Sequence, residues 1–262
     1  MASISELSAI SQIVQLENQD IIVLDTKLGI ISYVHLHDKT TEVLMCKGAG
    51  CCSAFGSEQC YQSHSSDIGG ITVNLKEEHA WVYFSDKTTV KKFHFSSQHI
   101  QPEVVVDLVN HVGSTGKIVT FTFNKDYSII FLLWQAADEN QRMLYRYYVS
   151  NETLSGNIPI TKPLTQILSL SEHIILGVVK TKAETLVIDF QSKSKSRVCR
   201  DTAAVIGYSG EDPLSKCTNP LNIRKMTQDN TFIYAEDKSY TIHMISSIKG
   251  MNLTYYPRGG KY

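Results

Sequence analysis

The chain has 262 residues, 42% of them apolar, with 25 Lys and Arg against 26 Asp and Glu and a formal net charge of −1. So even a balance sets up no large positive field to draw the chain toward nucleic acid or an anionic membrane surface. The longest clean apolar run is IIFLLW at 129–134, far short of the roughly 18 residues of a membrane-spanning helix, so no membrane insertion is expected within this segment.

A chain of this length can bury a sizeable core, and all-β chains of this size commonly form one domain, so a single domain over 1–262 is expected. At the start, ISELSAISQIV (4–14) comes nearest to helical spacing and could form a short helix. It has neither the basic nor the apolar region of a secretory signal, so an exported protein would carry its leader outside this segment. From there on, apolar runs rich in Val, Ile, Tyr, Phe and Thr, punctuated by Asp, Asn, Gly and Ser, predict strands.

SQIVQLE (11–17) is a short strand, and DIIVLDTKLGIISYVHLHDKTTEVLMC (20–46) adds a strand, an Asp, a tight turn, an alternating strand and a third strand. The same order returns in GGITVNLK (69–76) with HAWVYFSDKTTVKKFHFSSQHIQPEVVVDL (79–108), and in LNIRKMT (221–227) with TFIYAEDKSYTIHMISSIKGMNLTYY (231–256). Weaker copies are KIVTFTFN (117–124) with YSIIFLLWQAADENQRMLYRYYV (127–149), and TQILSLS (165–171) with HIILGVVKTKAETLVIDF (173–190). A repeat of four antiparallel strands near this period is the signature of a propeller blade. One blade cannot bury both its faces, so such repeats pack face to face around an axis. The expected fold is an all-β propeller of five blades, at roughly 11–46, 69–108, 117–161, 165–199 and 221–256.

The connections into the second and fifth repeats, CKGAGCCSAFGSEQCYQSHSSDIGGITVNLKEEHAWVYFSD and CRDTAAVIGYSGEDPLSKCTNPLNIRKMTQDNTFIYAED, resemble those of the NHL-repeat β-propeller family. Linkers of that family carry a glycine-studded loop, an Asn-Pro or equivalent turn, an inner strand and a YVAD-like second strand. The third and fourth repeats depart from the motif, with Trp134 and Lys180 near the place of the repeated Asp. The resemblance implies a propeller, in which six blades are usual, so six stands as the alternative to five. It also implies two functional alternatives: a hydrolase or lyase with a histidine-bound metal near the central channel, and intracellular RNA binding, which needs a basic face the net charge does not promise.

Cysteines recur with the repeat. Cys46 and Cys199 end an outer strand, and Cys60 and Cys217 precede the next inner strand, 14 and 18 residues later. No Cys-x2-Cys is present, and a pair at the two ends of a glycine-rich loop suits a disulfide better than a zinc site. Each such bridge would contribute about 3 kcal/mol by restricting the unfolded chain. The expected pairs are Cys46–Cys60 and Cys199–Cys217, with Cys51–Cys52 as the remainder; the first four cysteines allow three connectivities. Disulfides imply an oxidising compartment, hence a secreted or cell-surface protein. The sequons at Asn151 and Asn252 fit glycosylation there.

For chemistry, Asp25, Asp86 and Asp237 close strands before tight turns and are expected to accept hydrogen bonds from their own turns rather than gather a metal. His35 and His37 stand at i, i+2, on one face of a strand, and read as an exposed or half-buried pair. LYRYYV (144–149) reads as packing between blades, and SHSSD (63–67) as a polar linker. No catalytic residue, metal ligand or cofactor is expected. The expected activity is binding of a protein or glycan partner, without nucleic acid, through loops at one end of the blades, with Phe55, Tyr61, Trp134 and Tyr208 as anchors. These loops span 46–68, 109–116, 156–165 and 199–220, with the turns 25–29 and 135–142.

Overall fold

The structure is a computed structural model that describes residues 10–16, 18–48, 50–56, 60–63, 68–74, 81–94, 100–138, 141–179, 184–191, 193–198, 205–208, 223–228, 232–237, 242–246 and 253–256; beyond 193 it is the backbone that is described. The chain divides into two compact units, Met1–Val119 and Thr120–Tyr262.

The first unit begins with β1 (Ile10–Gln15), β2 (Ile21–Asp25), β3 (Ile30–His35) and β4 (Thr40–Lys47), each antiparallel to the next, and β5 (Tyr61–Ser63), which runs parallel to β4. Ile10–Gln15 is therefore strand where helical spacing had suggested a helix: paired to β2, it gains a ladder of hydrogen bonds that an isolated short helix could not match. Between β4 and β5 lies a single helical turn, α1 (Cys51–Ala54). The second sheet orders β6 (Ile68–Asn74), β7 (Trp81–Asp86), β8 (Thr89–His94) and β9 (Glu103–Asp107), and α2 (Leu108–Val112) follows it.

Apolar residues run through the middle strands of both sheets because each is covered on its faces. Ile22, Leu24, Ile31, Tyr33, Leu44 and Met45 of the first sheet share one core with Ile68, Ile71, Val73, Val82, Phe84 and Phe93 of the second. The amide of Ile71 donates to Gln12 Oε1 at 2.9 Å, tying the two inner strands together. Burying each of these large side chains contributes about 1.5–3 kcal/mol.

The second unit contains most of a third sheet, β10 (Gly116–Phe123), β11 (Ile129–Ala136), β12 (Arg142–Tyr148) and β13 (Thr153–Ile160). Its fourth sheet has β14 (Leu164–Ser169), β15 (Ile174–Val179), β16 (Glu184–Asp189), β17 (Ser194–Val198) and β18 (Val205–Tyr208), and its fifth has β19 (Ile223–Gln228), β20 (Phe232–Asp237), β21 (Ile242–Ser246) and β22 (Leu253–Tyr256). LYRYYV packs as expected. Tyr145 and Tyr147 are buried, which pushes both phenols above their ordinary range, and the Arg146 guanidinium stacks 4.9 Å from the Phe190 ring.

Two expectations need correction. Four strands per sheet is not uniform, since the first and fourth sheets each carry a fifth. The expected count of five or six whole blades is not carried over either. Among the described residues four sheets lie whole, two in the first unit and two in the second, and the boundary after Val119 divides the remaining one through β10, so four blades replace the expected five or six.

Candidate functional site

The site grows from the end of β4. Cys46 is fully buried there, after which the chain must leave the sheet and return to it by Tyr61. Gly50 makes that reversal possible with φ at 77°, a left-handed conformation that side chains other than glycine rarely adopt. The α1 turn then closes with Ala54 donating to the Gly50 carbonyl and Phe55 to that of Cys51, at 3.1 and 3.2 Å. Gly48 donates to the Ser63 carbonyl at 3.1 Å, fastening the start of the excursion to its end.

The sulfurs join Cys46 to Cys51 and Cys52 to Cys60. This corrects the expected Cys46–Cys60 and Cys51–Cys52 pairing. Neighbours on a helical turn point about 100° apart, so Cys51 faces the sheet at Cys46 while Cys52 faces the returning strand at Cys60. The bridges touch: Cys46 Sγ lies 3.5 Å from that of Cys52 and 3.4 Å from that of Cys60. Ile30, Val43 and Cys46 form a small core on which Cys51, Cys52, Phe55 and Cys60 pack. Over its described residues, 46–48, 50–56 and 60, the loop is a folded knuckle with its own interior.

The turn from β2 to β3 lies beside it. Asp25 is fully buried, and its Oδ1 accepts from the amides of Lys27 and Leu28 at 2.9 and 3.0 Å, the use expected of it. Gly29 has φ at 67°, and a Cβ there would sit 2.8 Å from Lys47 Cβ, so the turn backbone lies directly against the end of β4. Thr26, Lys27, Leu28, Lys47, Ser53 and Ala54 are exposed over this end of the sheet.

One other strand-closing acid departs from this use. Asp86 pairs with Lys91 Nζ at 2.8 Å instead of satisfying its turn, because the cation lies within reach on the next strand. Asp189 accepts from the Gln191 amide at 2.8 Å. The side chain of Asp237 lies outside the described residues.

Of the expected anchors, Trp134 is the one whose burial removes it. Phe55 is half-buried beneath its own loop, and Tyr61 packs against the shared core of the two first sheets. Trp134 is fully buried in β11, which removes it as a contact residue. Tyr208 ends β18, and its side chain lies outside the described residues, as do Cys199, Cys217, Asn252 and residues 64–67. Asn151 is exposed in the turn before β13, and the Thr153 hydroxyl donates to its Oδ1 at 2.7 Å.

His35 and His37 do not share a strand face. β3 ends at His35, whose ring meets Tyr33 edge-on at 4.3 Å, while His37 stands in the following turn, 2.8 Å from Asp38. Sequence reasoning missed a polar cluster at this opposite end of the sheet. Asp20 accepts from Tyr33 OH at 2.7 Å, the Leu36 amide at 2.9 Å and Asn18 Nδ2 at 2.9 Å. The Tyr33 hydroxyl, then the Leu36 amide, hold the Asp20 carboxyl below its ordinary range. Burial, aided by Asp20, pushes the Tyr33 phenol up. The only hint in the sequence was Asn18 and Asp20 closing a short turn.

Neither the protein-family models nor the curated proteins give a match to the chain. Among solved structures it is similar to a luciferin-regenerating enzyme, with a TM-score of 0.59 and 10% identity over 96% of this chain and 78% of the other. It is also similar to a protein of unknown function from Bacteroides thetaiotaomicron (0.57, 11%, over 95% and 57%). A third is a virginiamycin B lyase from Staphylococcus aureus, crystallised with quinupristin (0.52, 9%, over 100% and 74%). At such identities the likeness shows the fold alone. The chain is an all-β propeller, and its resemblance to the NHL-like propellers holds at the level of the fold.

Proposed function

We propose that the protein is a secreted or cell-surface β-propeller interaction module, one domain with its sheets as blades, that binds a protein partner through the knuckle of residues 46–60 and the adjoining turn 26–29. The observation that supports this is the interior of the knuckle. A recognition loop normally loses conformational entropy when it is ordered by a partner. Here Ile30, Val43 and Phe55, together with two disulfides, order it beforehand.

The exposed chemistry favours protein over glycan. Leu28 stands out with 38% of its surface exposed, and exposed Lys27 and Lys47 flank it. That combination suits an apolar contact rimmed by acidic side chains, whereas sugar recognition draws on exposed aromatic faces, and Phe55 and Trp134 turn theirs inward. The enzyme alternative would gather histidines around a metal, yet His35 packs on Tyr33 and His37 stands apart in its turn. The compartment is proposed from the disulfides, with a second bridge at Cys199–Cys217 and N-glycans on Asn151 and Asn252.

The test compares three forms of the folded chain as bait in extracellular fluid: wild type, Leu28→Glu, and His37→Glu at the opposite end. A partner kept by wild type and His37→Glu and lost from Leu28→Glu supports the reading. Loss from His37→Glu alone, or equal capture by all three, contradicts it.

A further inference from the structure

We infer that the same knuckle is a redox-gated zinc site: once its disulfides are reduced by a dithiol, the thiolates of Cys46, Cys51, Cys52 and Cys60 close on one Zn²⁺. This goes beyond the binding reading and does not rest on it.

Geometry comes first. The sulfurs of Cys46, Cys52 and Cys60 all lie within 4.8 Å of one another, and Cys51 is bonded to Cys46 at the edge of that trio. In a tetrahedral zinc tetrathiolate with Zn–S near 2.3 Å, neighbouring sulfurs stand about 3.8 Å apart. The two contacts between the bridges, at 3.5 and 3.4 Å, are already close to that edge. To complete the tetrahedron the two bonded pairs must part and the Cys51 sulfur, which stands outside that close trio, must swing in from α1.

The backbone suits the metal as well. Cys46 comes from the end of β4, Cys51 and Cys52 from α1, and Cys60 from the residue before β5, so the ligands hang from anchored elements on three sides. Four residues separate Cys46 from Cys51, inside the spacing of two to four that structural zinc sites use, although no Cys-x2-Cys is present. Ile30, Val43 and Phe55 supply an apolar lining, and soft thiolates in such a lining favour zinc over hard cations.

The chemistry balances in two steps. Each disulfide takes two electrons and two protons from a dithiol, which leaves as its own disulfide. Zn²⁺ then binds the four thiols as thiolates and releases four protons, so its affinity rises with pH. The knuckle would thus stay closed in oxidising surroundings by sulfur–sulfur bonds and in reducing ones by the metal.

The experiment uses the full chain, oxidised or reduced under inert gas, loaded with Zn²⁺ for metal counting or Co²⁺ for its visible spectrum. A Cys199→Ser, Cys217→Ser double variant removes the other two thiols, and Cys52→Ser, at a half-buried position, removes one ligand. We expect one metal per reduced chain, none per oxidised chain, and a tetrahedral thiolate spectrum with cobalt. The double variant should keep all of this. Cys52→Ser should weaken binding beyond the 10–100-fold typical of losing an outer-shell partner. The inference is overturned if the reduced chain takes up no metal, if binding disappears from the double variant, or if Cys52→Ser keeps the same stoichiometry, affinity and spectrum.

Discussion

The connections that leave the first and second sheets occupy equivalent places in the repeat and are held by different physics. After β4 the chain makes a knuckle with two disulfides and its own apolar interior. After β9 it makes the short α2, capped by Asp107, whose Oδ1 accepts the Val109 amide at 3.1 Å, and ended by Gly113 at φ 68°. Both rest on the turn of their own sheet: Gly29 against Lys47 in the first, and in the second the Leu108 and Ile118 amides donating to the Thr88 and Lys87 carbonyls. The repeat fixes where a connection emerges. What holds it is free to differ, and covalent closure gives an order that α2, held by caps and the burial of Leu108, has to draw from weaker bonds.

Opening one bridge should break this contrast most strongly. The Cys52→Ser, Cys60→Ser double variant should lose about 2–3 kcal/mol, the chain-entropy value for so short a loop, read by chemical denaturation of the first unit's sheets. Next, Asp25→Ala strips two turn amides of their buried acceptor and should cost about 1–3 kcal/mol, while Asp25→Asn, which keeps an acceptor oxygen, should cost less. Asp107→Ala removes only an N-cap and should cost about 1 kcal/mol. If Asp107→Ala proves the most damaging of the three, the two connections do not differ as described.

The smallest effect is set by pH at the opposite end of the first sheet. The folded Asp20 carboxyl titrates below its ordinary range because Tyr33 and Leu36 donate to the charged form. Its contribution is therefore present above the unfolded carboxylate range and is lost as pH falls through the folded value. Thermal midpoints of wild type and Asp20→Asn should differ near neutrality and converge in acid. A gap that stays constant would assign the difference to packing.

Much of the strand order was legible because β2, β7, β11 and β15 are apolar runs closed by turn residues, and that pattern has few other solutions. Asp25 was legible for a local reason, since an Asp before a tight turn finds its partners within three residues. The pairing of the cysteines was not. It depends on which way two adjacent side chains point from one helical turn, and the left-handed Gly50 sets that turn. β5 was missed because a three-residue parallel strand shows no alternation to read, and α2 because VVVDLVNHV continues an apolar strand until Asp107 caps it. The aromatics misled for a related reason: Phe55 and Trp134 look like anchors in sequence, and only packing shows that both face inward.

On this reading the knuckle is ordered before any partner arrives. Amide hydrogen exchange on the free, oxidised chain tests it most directly, at the amides of Ala54, Phe55 and Gly56, which α1 and its closing turn hold by hydrogen bonds. These amides should be protected as strongly as those of α2, and reduction without metal should remove their protection while leaving β2 and β3 intact. Exchange at the rate of an open chain in the oxidised protein would contradict it.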